Sequence, residues 1–313
     1  METKFSRRRF LAAAAVSAGG LAASGVSGQG PEGQVAGGFR FALNTGTIRG
    51  YKLPLEEQIK LAAKAGYAGL EPWTSDIAKA SETGGALKTL RERCADAGLA
   101  VISAIGFAAW AANDDAARAK GLEQMKRDMD LVAQLGGTHI AAAPAGVNQA
   151  GVALDLDRAA ERYRVVLELG RSMGVVPQLE FWGASANLSR LDQCLYVAAR
   201  AAHPDACVLA DVFHLYRGGS EPASLRLLGR SAAHCFHMND YPASPSRETL
   251  KDSDRVWPGD GVAPIREILR IFVESRAAVW LSVEVFNAAY WAFPAEETAR
   301  AGLAKMKAVS ASL

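Results

Sequence analysis

Cysteine, histidine and excess charge are all scarce in this chain. Its four cysteines, Cys94, Cys194, Cys207 and Cys235, stand 100, 13 and 28 residues apart. Those spacings fit neither a CxxC metal site nor a dense disulfide framework, and the thiols read as buried. Thirty-five basic residues against thirty-three acidic ones leave a formal net charge of +2, so no bulk field is present to hold nucleic acid or an anionic membrane. No apolar run is long enough for a stable membrane span. No glycine-rich phosphate loop follows the first predicted strand either, because Asn44-Thr45-Gly46-Thr47-Ile48-Arg49-Gly50 lacks the GxGxxG order. What is plentiful is apolar surface: half of the 313 residues are hydrophobic and 22% are charged. That suits one folded domain of α/β-barrel size or two smaller ones, and excludes disorder as the main state.

At the N-terminus, Ser6-Arg7-Arg8-Arg9-Phe10-Leu11 precedes an Ala/Gly/Ser-rich stretch reaching about Gly30. This resembles a twin-arginine export signal. A basic nucleic-acid arm would not be followed by such an apolar segment, and Gly19, Gly20 and several serines dilute it below a membrane helix. The resemblance implies export of the folded protein to the periplasm by the twin-arginine machinery. Cleavage is expected at Ala22-Ala23-Ser24 or Val26-Ser27-Gly28. Residues 1–35 are therefore assigned to signal and linker, and 36–313 to one catalytic domain.

From Phe39 onward, short apolar runs alternate with segments of helical periodicity. The strands are expected at 39–44, 67–72, 99–105, 138–143, 175–180, 207–211, 232–238 and 279–285. Between them, Ile265, Ile268, Leu269, Phe272 and Val273 share one helical face, as do Leu55, Ile59, Ala62 and Ala63, and then Leu188, Leu191, Leu195 and Ala198. Gly66, Gly98 and Gly174 stand where helices should stop. Eight βα units without an intervening linker predict a closed (β/α)8 barrel, with a doubly wound open sheet as the alternative. The irregular stretch 239–262 then lies on the C-terminal face, where barrels build active sites.

Four consecutive strands end in ionisable side chains: Glu180, Asp211, His237 and Glu284. Adjacent strands stand about 4.8 Å apart, so these groups can converge on one cation. In the last strand, Val279, Leu281, Val283 and Val285 suit the helix side, which turns Trp280, Ser282 and Glu284 inward. Three carboxylates and an imidazole form an oxygen-rich set suited to Mn²⁺ first, then Mg²⁺ or Co²⁺, rather than a structural zinc. Without a cation, three buried carboxylates would repel one another. His139 and His203 read as structural, and His234 is expected to face the helices.

The motifs Gly69-Leu70-Glu71-Pro72, Leu179-Glu180-Phe181, Asp211-Val212-Phe213-His214, His237-Met238-Asn239-Asp240, Arg255-Val256-Trp257-Pro258-Gly259-Asp260-Gly261 and Val283-Glu284-Val285-Phe286-Asn287 resemble the xylose isomerase-like TIM-barrel superfamily. This is the sugar phosphate isomerase/epimerase group. The resemblance implies that Glu180, Asp211, His237 and Glu284 ligate a divalent metal, that Glu180 and Glu284 are also the acid/base pair, and that His214 and Arg255 bind substrate oxygens. Glu71, Trp73, Asn44, Trp182, Arg217 and Trp257 are further substrate-binding candidates at strand ends or in top-face loops. Asp240 is expected either to orient His237 or to anchor the loop.

The reaction expected is isomerisation or epimerisation of a keto-sugar or inosose through an enediolate. The same intermediate can expel a leaving group, which makes a dehydratase or lyase acting on a keto-sugar, inosose or 3-keto-glycoside the alternative. A non-catalytic exported sugar-binding protein is a third reading. An apurinic endonuclease of the same superfamily is disfavoured by only five histidines and a near-neutral charge. The expected partner is a small sugar, not nucleic acid; self-association into a homo-oligomer is compatible with the sequence.

Overall fold

The computed structural model describes residues 38–84, 86–311 and 313. The segment read as an export signal lies outside the described residues. Eight parallel strands follow: β1 (Arg40–Asn44), β2 (Gly69–Glu71), β3 (Ala100–Val101), β4 (His139–Ala142), β5 (Val176–Glu180), β6 (Val208–Asp211), β7 (Cys235–Met238) and β8 (Trp280–Val283). Each falls within one of the expected apolar runs. Their hydrogen-bonded order is β3-β2-β1-β8-β7-β6-β5-β4. The ring closes just beyond β3, where the Ala104 amide donates to the His139 carbonyl (3.1 Å) and the Ala141 amide to the Ala104 carbonyl (2.8 Å). An open sheet would leave β3 and β4 as edges, so the doubly wound alternative is excluded.

The helices are α1 (Leu55–Ala65), α2 (Thr74–Ser81), α3 (Ala86–Asp96), α4 (Asp115–Leu135), α5 (Leu156–Met173), α6 (Leu191–Ala201), α7 (Val212–Gly218), α8 (Ile265–Ser275) and α9 (Ala295–Ser310). Asp114 and Asp155 cap α4 and α5 by accepting from the Ala117 and Arg158 amides, which satisfies donors that the first helical turn leaves free. Gly66 and Gly174 stop α1 and α5 at φ 93° and 71°, a left-handed conformation that favours glycine. Leu188, read from its spacing as part of a helix, lies outside α6 at φ 49°. The helix enters later because Gln193 Oε1 accepts from the Ser189 and Arg190 amides (2.8 and 3.3 Å).

Strand alternation separates two cores. Leu281, Val283 and Val285 pack between barrel and helices, whereas Trp280 joins Ala42, Ile102, Ile105, Ala141, Leu209 and Cys235 inside the barrel. The inward direction expected for β8 is thus observed. His234 departs from expectation. Its ring stacks on His139 with centroids 3.5 Å apart, and its Nε2 lies 3.0 Å from the Ile102 carbonyl. β4 and β7 are not neighbours, so the pair spans the bore at its N-terminal end. Alternation fails there because His234 precedes Cys235, where β7 begins.

Candidate active site

The polar floor is built from strand ends. Asn44, Glu71, Glu180 and Asp211 are the last residues of β1, β2, β5 and β6, His237 stands within β7, and Glu284 directly follows β8. His237 Nε2 lies 3.0 Å from Glu71 Oε2, so the ring donates from Nε2 to that carboxylate and turns Nδ1 to the other acids. Nδ1 faces Glu284 Oε2 at 3.2 Å and Asp211 Oδ2 at 3.8 Å, without hydrogen-bond geometry to either. Metal-binding histidines recur in this state, with one nitrogen tied to a carboxylate and the other unpartnered.

One ligand atom each from Asp211, His237 and Glu284 lies within 4.8 Å of the others. Glu180 stands outside that trio but is buried, and its Oε2 has no hydrogen-bond partner among the described residues. An unpartnered imidazole nitrogen and an unpartnered carboxylate oxygen among buried acids fit a divalent cation, which would displace any proton on Nδ1 and be held by Asp211, His237 and Glu284, with Glu180 beside them. A second grouping, Glu71, Cys235 and His237, lies equally close together. It is poorly disposed to bind metal: the histidine nitrogen facing it, Nε2, is already paired with Glu71, and burial pushes the Cys235 thiol up to about 12. In the first trio Nδ1 is unpartnered, although Asp211 Oδ2 accepts from Asn239 and Arg255 and Glu284 Oε2 from Arg255.

Arg255 supplies the positive charge that the buried acids require. It is 1% exposed; Nη1 donates to Asp211 Oδ2 (3.0 Å) and Glu284 Oε2 (2.9 Å), and Nη2 to Asp252 Oδ1 (2.5 Å). Burial would lower its pKa, but Asp211, Asp252 and Glu284 raise it. Burial likewise pulls His237 down, and the Glu284 and Glu71 carboxylates outweigh it and hold the ring well above its ordinary value. Glu180 forms no ion pair with an arginine or lysine among the described residues. Burial pushes its carboxyl up to about 8, opposed by His237 and reinforced by the neighbouring carboxylates.

Above this floor opens a cavity of about 630 Å³ lined by Trp73, Trp182, Glu180, His214, Arg255 and Glu284 among others. His214 Nδ1 lies 3.2 Å from the Gly183 amide and Nε2 3.2 Å from Arg255 Nη2, so both ring nitrogens face N–H donors. A neutral imidazole accepts at only one nitrogen.

Four substrate-binding candidates are corrected by the structure. Glu71 lies beneath the cavity, gripping His237, and Asn44 donates to Glu71 Oε2 and Glu284 Oε1 (both 3.0 Å); both residues are fully buried and position the floor. Arg217 turns away to the Leu250 and Glu248 carbonyls (3.1 and 3.0 Å). Trp257 is stacked on Tyr290 at 4.3 Å, packed below the surface. Of the two roles open to Asp240, the loop anchor is the observed one: its oxygens accept from the Tyr241, Gly259, Gly261 and Ala263 amides. Sequence reasoning missed Asp252, Phe107, Phe286 and Trp291, all of which line the cavity. Only Asp252 offered a local signal, standing three residues before Arg255.

The chain matches the family described as xylose isomerase-like TIM barrel over residues 59–309. It is 30% identical over 131 residues to an inosose isomerase of Halalkalibacterium halodurans, covering 42% of this chain and 46% of that protein. It is 25% identical over 251 residues to a 3-dehydroshikimate dehydratase of Pseudomonas putida, covering 80% of this chain and 39% of that protein. The chain thus spans less than half the length of either relative; both are enzymes. Among solved structures, IolI protein with a bound zinc atom superimposes with a TM-score of 0.80 at 21% identity, over 87% of this chain and 98% of that one.

Proposed function

Because the chain belongs to the xylose isomerase-like TIM-barrel family, we propose that it is a divalent-metal-dependent isomerase or epimerase of a keto-sugar or inosose. The reaction begins with loss of the proton beside the carbonyl. The observation that carries this reading is the pair of carboxylates in unlike settings on one floor. Glu180 presents a buried, unpartnered oxygen, whereas Glu284 accepts from Asn44 and Arg255. Groups so differentiated suit the two halves of a proton transfer.

Asp211, His237 Nδ1 and Glu284, with Glu180 beside them, would hold the cation, and this oxygen-rich set favours Mn²⁺, then Mg²⁺ or Co²⁺. A cation there supplies positive charge against the carbonyl oxygen that gains electron density. A substrate oxygen entering between His214 Nε2 and Arg255 Nη2 replaces a donor–donor contact with two hydrogen bonds. Glu180 and Glu284 then exchange the proton at carbon, and two bases on opposite faces give epimerisation or isomerisation. Similarity to a 3-dehydroshikimate dehydratase over 80% of the chain supports a second reading, in which the same deprotonation leads to elimination. Export to the periplasm through the Arg7-Arg8 signal belongs to the proposal, supported by the motif alone.

Turnover of a panel of ketoses and inososes in D₂O by the Mn²⁺-loaded enzyme tests the reading. Deuterium is expected on the product carbon beside the carbonyl, with Glu180→Gln and Glu284→Gln each lowering the rate by about 10²–10⁴-fold. Equal product and substrate mass, after correction for the label, marks isomerisation; loss of water marks elimination. A substrate hydrogen that migrates without washing out overturns the acid/base roles of both glutamates.

A further inference from the structure

The cavity is divided in its chemistry. Of its charged residues, Glu180, His214, Asp252, Arg255 and Glu284 belong to the floor, where Arg255 donates to Asp252 and Glu284 and lies 3.2 Å from His214; Arg49 stands apart, its guanidinium over the Trp73 and Phe286 rings at 5.4 and 5.5 Å. Apart from Arg49, its mouth is built mainly of rings. Trp73 meets Phe107 edge-on at 5.1 Å and Phe286 at 6.3 Å, and Phe107 meets Trp182 at 6.0 Å; Trp291 also lines the cavity. Two of the indole N–H groups are taken up by the protein. Trp73 Nε1 donates to Asn44 Oδ1 (3.3 Å) and Trp291 Nε1 to the Thr47 carbonyl (2.9 Å). Those two rings therefore offer the cavity no N–H donor, only hydrocarbon and π-faces, that of Trp73 shared with the Arg49 guanidinium. Phe107 is 47% exposed, an uncovered ring at the entrance.

Arg49, Asn148, Ser185 and Ser253 also line the cavity, yet most of its lining surface is apolar, which leaves a bare polyol poorly matched to it. Its hydroxyls point to all sides, and any that meet these rings lose water without gaining a partner. The volume of about 630 Å³ also lies within the range of drug-sized ligand sites, roughly 300–1,000 Å³. We propose that the substrate is a conjugate, in which a polyhydroxylated ketone on the charged floor bears a flat aromatic substituent lying among Trp73, Phe107 and Trp182. The inference rests on the floor being a keto-sugar site and adds the class of group attached to that sugar. Edge-on and offset ring contacts of the kind already present among these side chains extend to such a substituent.

Calorimetric titration of the Mn²⁺-loaded full chain with the 3-keto forms of phenyl and methyl β-D-glucoside tests it, since the two probes differ only in the ring. The phenyl compound is expected to bind at least tenfold more tightly. Phe107→Leu and Trp182→Leu, which keep an apolar side chain and remove the ring, should each bring the ratio of the two affinities toward one. Circular dichroism of each variant shows that the fold is retained. Equal affinity for the two probes overturns the inference and means that the rings stack on the sugar itself. A phenyl preference that survives both substitutions also overturns it. A phenyl preference in an enzyme that incorporates no solvent deuterium supports the conjugate site and overturns the proposed reaction; deuterium incorporation with equal affinities does the reverse.

Discussion

Glu71 shows how a single side chain can serve the site without reaching the cavity. Its Oε2 accepts from Ser282 Oγ at 2.7 Å and from Asn44 Nδ2 and His237 Nε2 at 3.0 Å each. Burial works against its charge, yet His237, Ser282 and Asn44 together hold the carboxyl below its usual range. The carboxylate sets both the orientation of the His237 ring and the nitrogen left for a ligand. Glu71→Gln weakens that grip, and the expected outcome is a loss of about 10–100-fold in Mn²⁺ affinity, read by equilibrium dialysis on a folded variant. Unchanged affinity would mean that His237 Nδ1 is not a ligand. In the sequence, a glutamate ending a strand looks the same whether it faces substrate or a histidine below it; three donors meeting on one oxygen distinguish the two.

Among the elements, the stretch 239–262 between β7 and α8 matters most, because it carries Arg255 and Asp252 to the floor. Asp240 holds its base: Oδ1 accepts from Tyr241 (2.8 Å) and Ala263 (2.9 Å), Oδ2 from Gly259 (3.0 Å) and Gly261 (3.1 Å). Gly261 has no room for a side chain, since a Cβ there would stand 2.3 Å from Asp240 Oδ1. Arg217 on α7 ties down the middle through the Glu248 and Leu250 carbonyls. Asp240→Ala strands four amide donors at once. Stability should fall by about 2–5 kcal/mol, measured by urea denaturation, and kcat/KM should fall with it as Arg255 loses its position. If stability and turnover both stay at wild-type values, Asp240 is not the anchor.

At the scale of the whole barrel, the active end and the opposite end titrate for different reasons. Far from the floor, burial, reinforced by the stacked His234, pushes His139 down to about 3. The unfolded chain, with a histidine near its ordinary value of 6.5, therefore takes up a proton first as pH falls. The stability contributed by neutral His139 is complete above about pH 6.5 and is lost progressively from there toward pH 3. His139→Asn should flatten the decline in Tm of the metal-saturated protein between pH 6.5 and 5, a window above most carboxylate titrations. Parallel Tm profiles for the two proteins would show that the pair does not couple folding to pH.

Local rules in the chain were enough for the barrel and for the inward-facing chemistry. Strand runs of period two, helix faces of period 3.6 and glycines such as Gly66 and Gly174 depend on neighbours in sequence, which is why all eight strands and the inward turn of Trp280, Ser282 and Glu284 could be read directly. Glu180, Asp211, His237 and Glu284 share the floor for the same reason, as each stands at or near the C-terminal end of a strand. Tertiary structure decided what no period encodes. Asn44 and Glu71 lie at strand ends yet are covered by the floor they support, Arg217 and Trp257 are drawn into loop packing, and Phe107 and Trp291 reach the mouth from a loop and from the short 3-10 turn Ala288–Ala292. His234 crosses the bore because the regular strand starts one residue later. A strand fixes the direction of its side chains by its own geometry, but depth within the barrel and the aim of a loop side chain depend on residues far away in the chain, and those meet only when the barrel closes.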